Sequence, residues 1–222
     1  MSTVRRLLED HGVCCVSFDL PFHFSQRPVA TLRIDGFFSS PSPGITTPTL
    51  ACLNLKDLEL RRNASIKLST HHSNNPPVTR LRQKKQQRLR PANKVEDPYI
   101  AALLIALAQQ RQRQRQQNTL IGTVEEATGL ETLDSSDPRE IKPNEAVTCV
   151  KVHLLALHIA DTQSLYFYTA RISTAFLDRF NHPRQNVPSD QLRIFYRCIP
   201  LEQTTDLIRA ISHIITTVRD NN

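Results

Sequence analysis

The sequence has five glycines, no tryptophan and a single methionine, and none of its five cysteines stands in a C-x-x-C pair. The glycines fall at 12, 36, 44, 122 and 129, so neither G-x-G-x-x-G nor a P-loop can be written, and both motifs need glycine where backbone closes on phosphate. ATP, GTP and dinucleotide chemistry is thereby disfavoured, and no cofactor is expected. Cysteines at 14, 15, 52, 149 and 198 are odd in number and lack the spacing of a zinc ribbon or redox motif. They read as reduced thiols of an intracellular protein, in nucleus or cytoplasm. Cys149 and Cys198 sit inside apolar strand patterns, where a free thiol behaves as a small hydrophobe. The longest apolar run, Tyr99 to Ala108, is about half of what a bilayer crossing needs, so a soluble protein without membrane contact is expected. Glu9, Asp10 and His11 occupy the place of a secretory signal's apolar region, which argues against export.

What the chain does have is positive charge in one place. Residues 61–117 hold 13 basic and 2 acidic side chains, a balance of +11, in a protein whose net charge is +7. Residues 118–145 hold 2 basic and 7 acidic ones, a balance of −5. The basic core is Arg80, Arg82, Lys84, Lys85, Arg88 and Arg90, six cations in eleven residues, interleaved with glutamine and without an aromatic. Such a run attracts phosphate, an acidic partner or an import receptor, and its bland alternative is a solvated charge run. The missing aromatics argue against a stacking platform for single strands within it. Arg111, Arg113 and Arg115 have their own ordinary explanation, because cations are favoured near a helix C-terminus.

Period-two alternation over Val16 to Phe24 and again over Ala30 to Asp35 predicts a hairpin turned at Ser25 to Pro28. Pro21 demotes its first strand to an edge, and two strands alone are barely stable, so this hairpin must dock elsewhere or stay loose. Few apolar residues occur from Arg61 to Asn93, and His71-His72, Asn74-Asn75 and Pro76-Pro77 interrupt any regular element. Burial there cannot offset ordering entropy, and a disordered linker is predicted.

A folded domain then begins, since Asp97 is a good N-cap, Pro98 suits the first helical position and Tyr99 to Ala108 is apolar all round. An acidic connection over Asn118 to Glu145 follows, with one short helix near Val124 to Leu133. Val147 to Ile159 is apolar on both faces, as in a central strand; Leu165 to Ile172 is its antiparallel return. Ser173 caps a helix through Phe180, and Leu192 to Ile199 makes a third strand with Leu192, Ile194, Tyr196 and Cys198 inward. A final helix, Thr205 to Arg219, carries the stripe Leu207, Ile208, Ile211, Ile214, Ile215 and Val218. The reading is thus α+β: a layered domain of order α-β-β-α-β-α over 95–222, behind a weakly structured region at 1–60 and a basic linker at 61–94.

Three stretches, EDPYIAALLIALAQ at 96–109, LYFYTARI at 165–172 and TAFLDRF at 174–180, resemble segments of a group of filamentous-fungal proteins. In that group a helix of this kind precedes strands and a helix ending in FLDRF or a close variant. The resemblance covers the C-terminal half and implies the domain boundary. It implies no activity, cofactor or site residue.

Catalytic and metal constellations are thin. A restriction-like nuclease, whose element order is similar, needs an acidic residue on one strand and D/E-x-K on the next to hold a divalent metal. The matching strands supply Lys151 and no carboxylate, and Asp161 falls in a turn. His153 and His158, five apart on a strand, point to opposite faces and cannot share a metal. His71 and His72 are neighbours in the linker. The Gly-x-Ser-x-Gly elbow is absent, and no serine is favoured as a nucleophile, which ranks an unrecognised hydrolase triad last. No catalytic residue and no metal ligand is named. The leading expectation is a non-enzymatic interaction domain with a protein partner, whose basic arm directs it to the nucleus. The alternative is a nucleic-acid-binding protein built on a degenerate restriction-like nuclease scaffold. Oligomeric state is left open.

Overall fold

A computed structural model of the chain describes residues 18–39, 48–66, 75–126, 149–157, 164–185 and 188–200, with positions 9, 13–14, 205, 208–210, 212–214 and 216. In chain order its strands are β1 (Val13–Cys14), β2 (Phe18–Phe24), β3 (Arg27–Ile34), β4 (Gly36–Ser39), β5 (Pro48–Asn54), β6 (Cys149–Leu157), β7 (Ser164–Ser173) and β8 (Ile194–Pro200). Its helices are α1 (Leu55–Ser65), α2 (Pro76–Leu89), α3 (Pro98–Glu126) and α4 (Thr174–Asn181), with a 3-10 turn at Lys94–Glu96. Helix and strand are both abundant, which establishes the α+β class.

The middle layer is α3. Asp97 starts it as the spacing predicts: its carboxylate accepts from the Tyr99 amide at 3.0 Å, and it is ion-paired to Arg62 of α1 while only 5% exposed. The Tyr168 hydroxyl donates to the carbonyl of Val95 at 2.8 Å, and burial raises its pKa, so it remains a neutral donor. Leu103, Leu104, Ala106, Leu107 and Ala108 are then buried in consecutive turns because both flanks of the helix are covered.

One flank is the hairpin β2–β3, with Leu20, Leu32 and Ile34 inward. The side-chain amide of Gln109 accepts from the His23 amide at 3.0 Å and donates to the His23 carbonyl at 2.9 Å, acting as a substitute strand neighbour. The turn residues Ser25 and Gln26 both have positive φ, 54° and 63°, and the Ser25 amide donates to the Phe180 carbonyl at 2.6 Å. Phe22 meets Phe180 edge to face at 5.7 Å. The hairpin therefore docks.

The other flank is a six-stranded sheet of order β1-β4-β5-β6-β7-β8. Its core face presents Ala51, Leu53, Val150, Val152, Leu154, Ala156, Tyr168, Ala170 and Ile172 to α3 and α4. Alternation puts Leu50, Cys52, Leu155, Leu157 and Leu165 on the opposite face, and they too are buried. Of the expected last helix, 205, 208–210, 212–214 and 216 are helical; Ile214 is buried and Ile208 is exposed, while Leu207, Ile211, Ile215 and Val218 lie outside the described residues.

Four expectations need correction. β5 pairs in parallel with β6, from Leu50 opposite His153 to Asn54 opposite Leu157, so the expected boundary at residue 95 is crossed by strand pairing. β5 escapes notice because Leu50-Ala51-Cys52-Leu53 is too short a run to show a period when both faces are buried. The supposed linker holds α2: Pro76 and Pro77 sit in its first turn, where the missing amides cost nothing, and Leu, Arg, Lys and Gln are strong helix formers. α3 runs through Gly122 to Glu126 rather than stopping before Asn118. Finally, β8 is the sheet's edge among the described residues, so Tyr196 (44% exposed) and Cys198 are exposed; Cys149 is exposed as the first residue of β6, and it is Cys52 that is buried.

Candidate functional site

The basic run lies on α2, which has no buried residue. Side chains four apart share a helical face, and the half-buried Val78, Arg82 and Gln86 form the face turned to the body. Arg80, Lys84 and Arg88 accordingly line up on the outward side, with Lys85 beside them. Like charges at this spacing cost each other about 0.2–0.5 kcal/mol per pair, which an anion laid along the stripe removes. Arg90, at the C-cap, departs from the stripe: its guanidinium lies 3.4 Å from Glu59 of α1, with Lys94 3.9 Å from the same carboxylate. Arg82 is drawn inward, and its Nε is buried with no hydrogen-bond partner. Of the six candidate cations, the structure thus brings Arg80, Lys84, Lys85 and Arg88 together on the open surface.

Arg111, Arg113 and Arg115 are not at a helix end, because α3 continues to Glu126, and the dipole explanation fails. Arg111 donates to the Lys151 carbonyl, and burial followed by the nearby Arg115 lowers its pKa. It serves to fasten α3 to β6.

A second cationic surface was not legible in the sequence. Lys151 of β6 stands directly opposite Arg171 of β7. Arg193, the residue before β8, lines the same cavity as Arg171. Three cations thus gather at this end of the sheet, two of them directly opposed on the face away from α3, where like charges opposite each other are destabilising. The next row along that face is His153, Thr169 and Phe195, and the one after brings Phe167 beside Arg197. Phe195 is 67% exposed. No ion pair among the described residues engages Arg171, Arg193 or Arg197. A cavity of about 670 Å³ opens there, lined by Arg171, Arg193, Phe195, Asp190 and Gln191 among others.

His153, buried in the neighbouring row of this face, stacks on Phe167 at 5.3 Å with its Nδ1 3.2 Å from the Thr169 hydroxyl. Desolvation, then the charges of Lys151 and Arg111, lowers its pKa to about 4, so the ring is neutral at pH 7. That fits a platform residue and leaves Nδ1 engaged by Thr169. His71, His72, His158 and Asp161 lie outside the described residues. Among the described residues no three His, Cys, Asp or Glu side chains gather as a metal set, and β6 and β7 bring no carboxylate to the place a nuclease metal needs. No helix among them is long and apolar enough to cross a membrane.

No protein-family model, no curated protein and no solved structure matches this chain.

Proposed function

We propose that the protein is a non-enzymatic interaction domain that offers α2 to an anionic partner, and that this helix also directs it to the nucleus. The observation that carries the reading is the outward stripe of Arg80, Lys84 and Arg88 on a helix with no buried residue and no acidic side chain. A helix that contributes nothing to a core and carries mutually repelling charges gains stability when a partner neutralises them. The test is the full chain fused to a fluorescent reporter, as wild type and as R80E/K84E/R88E. Nuclear accumulation of the first and even distribution of the second are expected; the same distribution for both ends the targeting claim.

Nucleic acid is the partner class favoured by one further observation, the helical order of the run. Fourteen residues make a rod about 21 Å long and about 10–12 Å across, which matches the width of a duplex major groove. Binding of a duplex of mixed sequence should weaken about 100-fold in the triple variant at moderate salt, because three phosphate contacts turn repulsive. Equal affinity for both proteins removes the nucleic-acid reading of α2.

A further inference from the structure

We infer that the open end of the sheet's second face binds single-stranded nucleic acid: Phe195 stacks an unpaired base, and Arg171 and Arg193 hold the phosphates beside it. This site is separate from α2 and does not rest on the reading of that helix. Phe195, 67% exposed on a strand, offers an open aromatic face at the mouth of this cavity. Arg171, paired across the sheet with Lys151, and Arg193 line the same cavity, and neither arginine has an ionic partner among the described residues. One ligand class engages both at once: a flat ring joined through a short linker to a phosphate. An unstacked nucleotide has that make-up, and stacking on an aromatic side chain is tolerant of which base is present.

The rest of the cavity agrees. Its volume, about 670 Å³, falls in the range of ligand pockets, which accommodates a nucleotide unit. Asp190 and Gln191 line it, the first accepting from an exocyclic amine or a 2′-hydroxyl, the second able to donate and accept along a base edge. In the row of Thr169 and Phe195, the buried His153 keeps a neutral ring stacked on Phe167 and adds no titrating charge at neutral pH.

The experiment uses the full chain carrying R80E/K84E/R88E, so that α2 cannot mask the site, and labelled oligomers of thymidine or uridine about eight nucleotides long. Fluorescence anisotropy should report binding that weakens about tenfold or more with Phe195→Ala, by a similar factor with Arg171→Glu, and that Phe195→Trp retains. Phe195 and Arg171 are both exposed, so melting temperatures should match the parent and exclude misfolding as the cause. The inference is overturned if Phe195→Ala binds like the parent, if Phe195→Trp binds no better than Phe195→Ala, or if the oligomers do not bind at all. It is overturned in favour of a protein partner if a labelled peptide of alternating Glu and Tyr binds in a Phe195-dependent manner while the oligomers do not.

Discussion

The protein carries two cationic surfaces that arise in opposite ways. On α2 the charges are contiguous in sequence and the fold does no more than wind them into a stripe. On the sheet, Lys151, Arg171 and Arg193 are scattered among apolar residues, and it is strand pairing and the cavity at the strands' end that bring them together. The first surface rests on a helix with nothing buried; the second shares its sheet face with buried Leu155, Leu165 and His153. A concentration of charge is therefore visible in a sequence when local geometry assembles it, and hidden when long-range pairing does.

Both surfaces depend on one core, and the largest expected effect tests that. Leu104 is fully buried in α3, between the hairpin and the sheet. Leu104→Ala should destabilise the fold by about 2–5 kcal/mol in denaturant unfolding, with the helix signal and Phe195-site binding lost at the same midpoint. Two separate midpoints would falsify the single-body picture.

A smaller effect separates the surfaces by pH. His153 has a pKa of about 4 in the fold against an ordinary 6.5, so between those values the unfolded chain binds the extra proton. Its contribution is complete above about pH 6.5 and is lost as pH falls towards 4, by at most about 3 kcal/mol. Comparing wild type with His153→Gln across that window, the difference in unfolding free energy should shrink as pH falls. A difference independent of pH contradicts the buried, neutral ring.

The smallest effect lies in the hairpin turn, which contributes no residue to either cationic surface. Gln26 is held at φ 63°, a left-handed conformation that costs a non-glycine residue about 1–2 kcal/mol, partly offset by the entropy a glycine would lose. Gln26→Gly should raise stability by about 0.5–1 kcal/mol, seen as a higher melting temperature, and leave binding at α2 and at Phe195 unchanged. A lower melting temperature would show that the side chain of Gln26 does more than tolerate the turn.

What could be read from the residues follows the same division. Asp97-Pro98 and the apolar run behind it announce α3, the alternation of Phe18 to Ile34 announces the hairpin, and Ser173 announces α4, because each signal is local. β5 and its parallel pairing to β6 were not legible, since four apolar residues lack a period and nothing nearby names their partner. α2 was misread through Pro76-Pro77, which break a helix in its interior and favour it in its first turn. The inward assignment of Tyr196 and Cys198 failed for want of the sheet order, which leaves β8 with one neighbour. Phe195 gave a signal that was available all the same: an aromatic between two arginines on the polar side of a strand, Arg193-x-Phe195-x-Arg197.

The claim on which the account turns is that the α2 stripe meets phosphate. It is tested most directly by the salt dependence of duplex binding, measured for the wild type and for R80E/K84E/R88E. Each phosphate contact contributes a slope of about −0.9 in log affinity against log salt, so the wild-type slope should be steeper by nearly three. Identical slopes for the two proteins would contradict it.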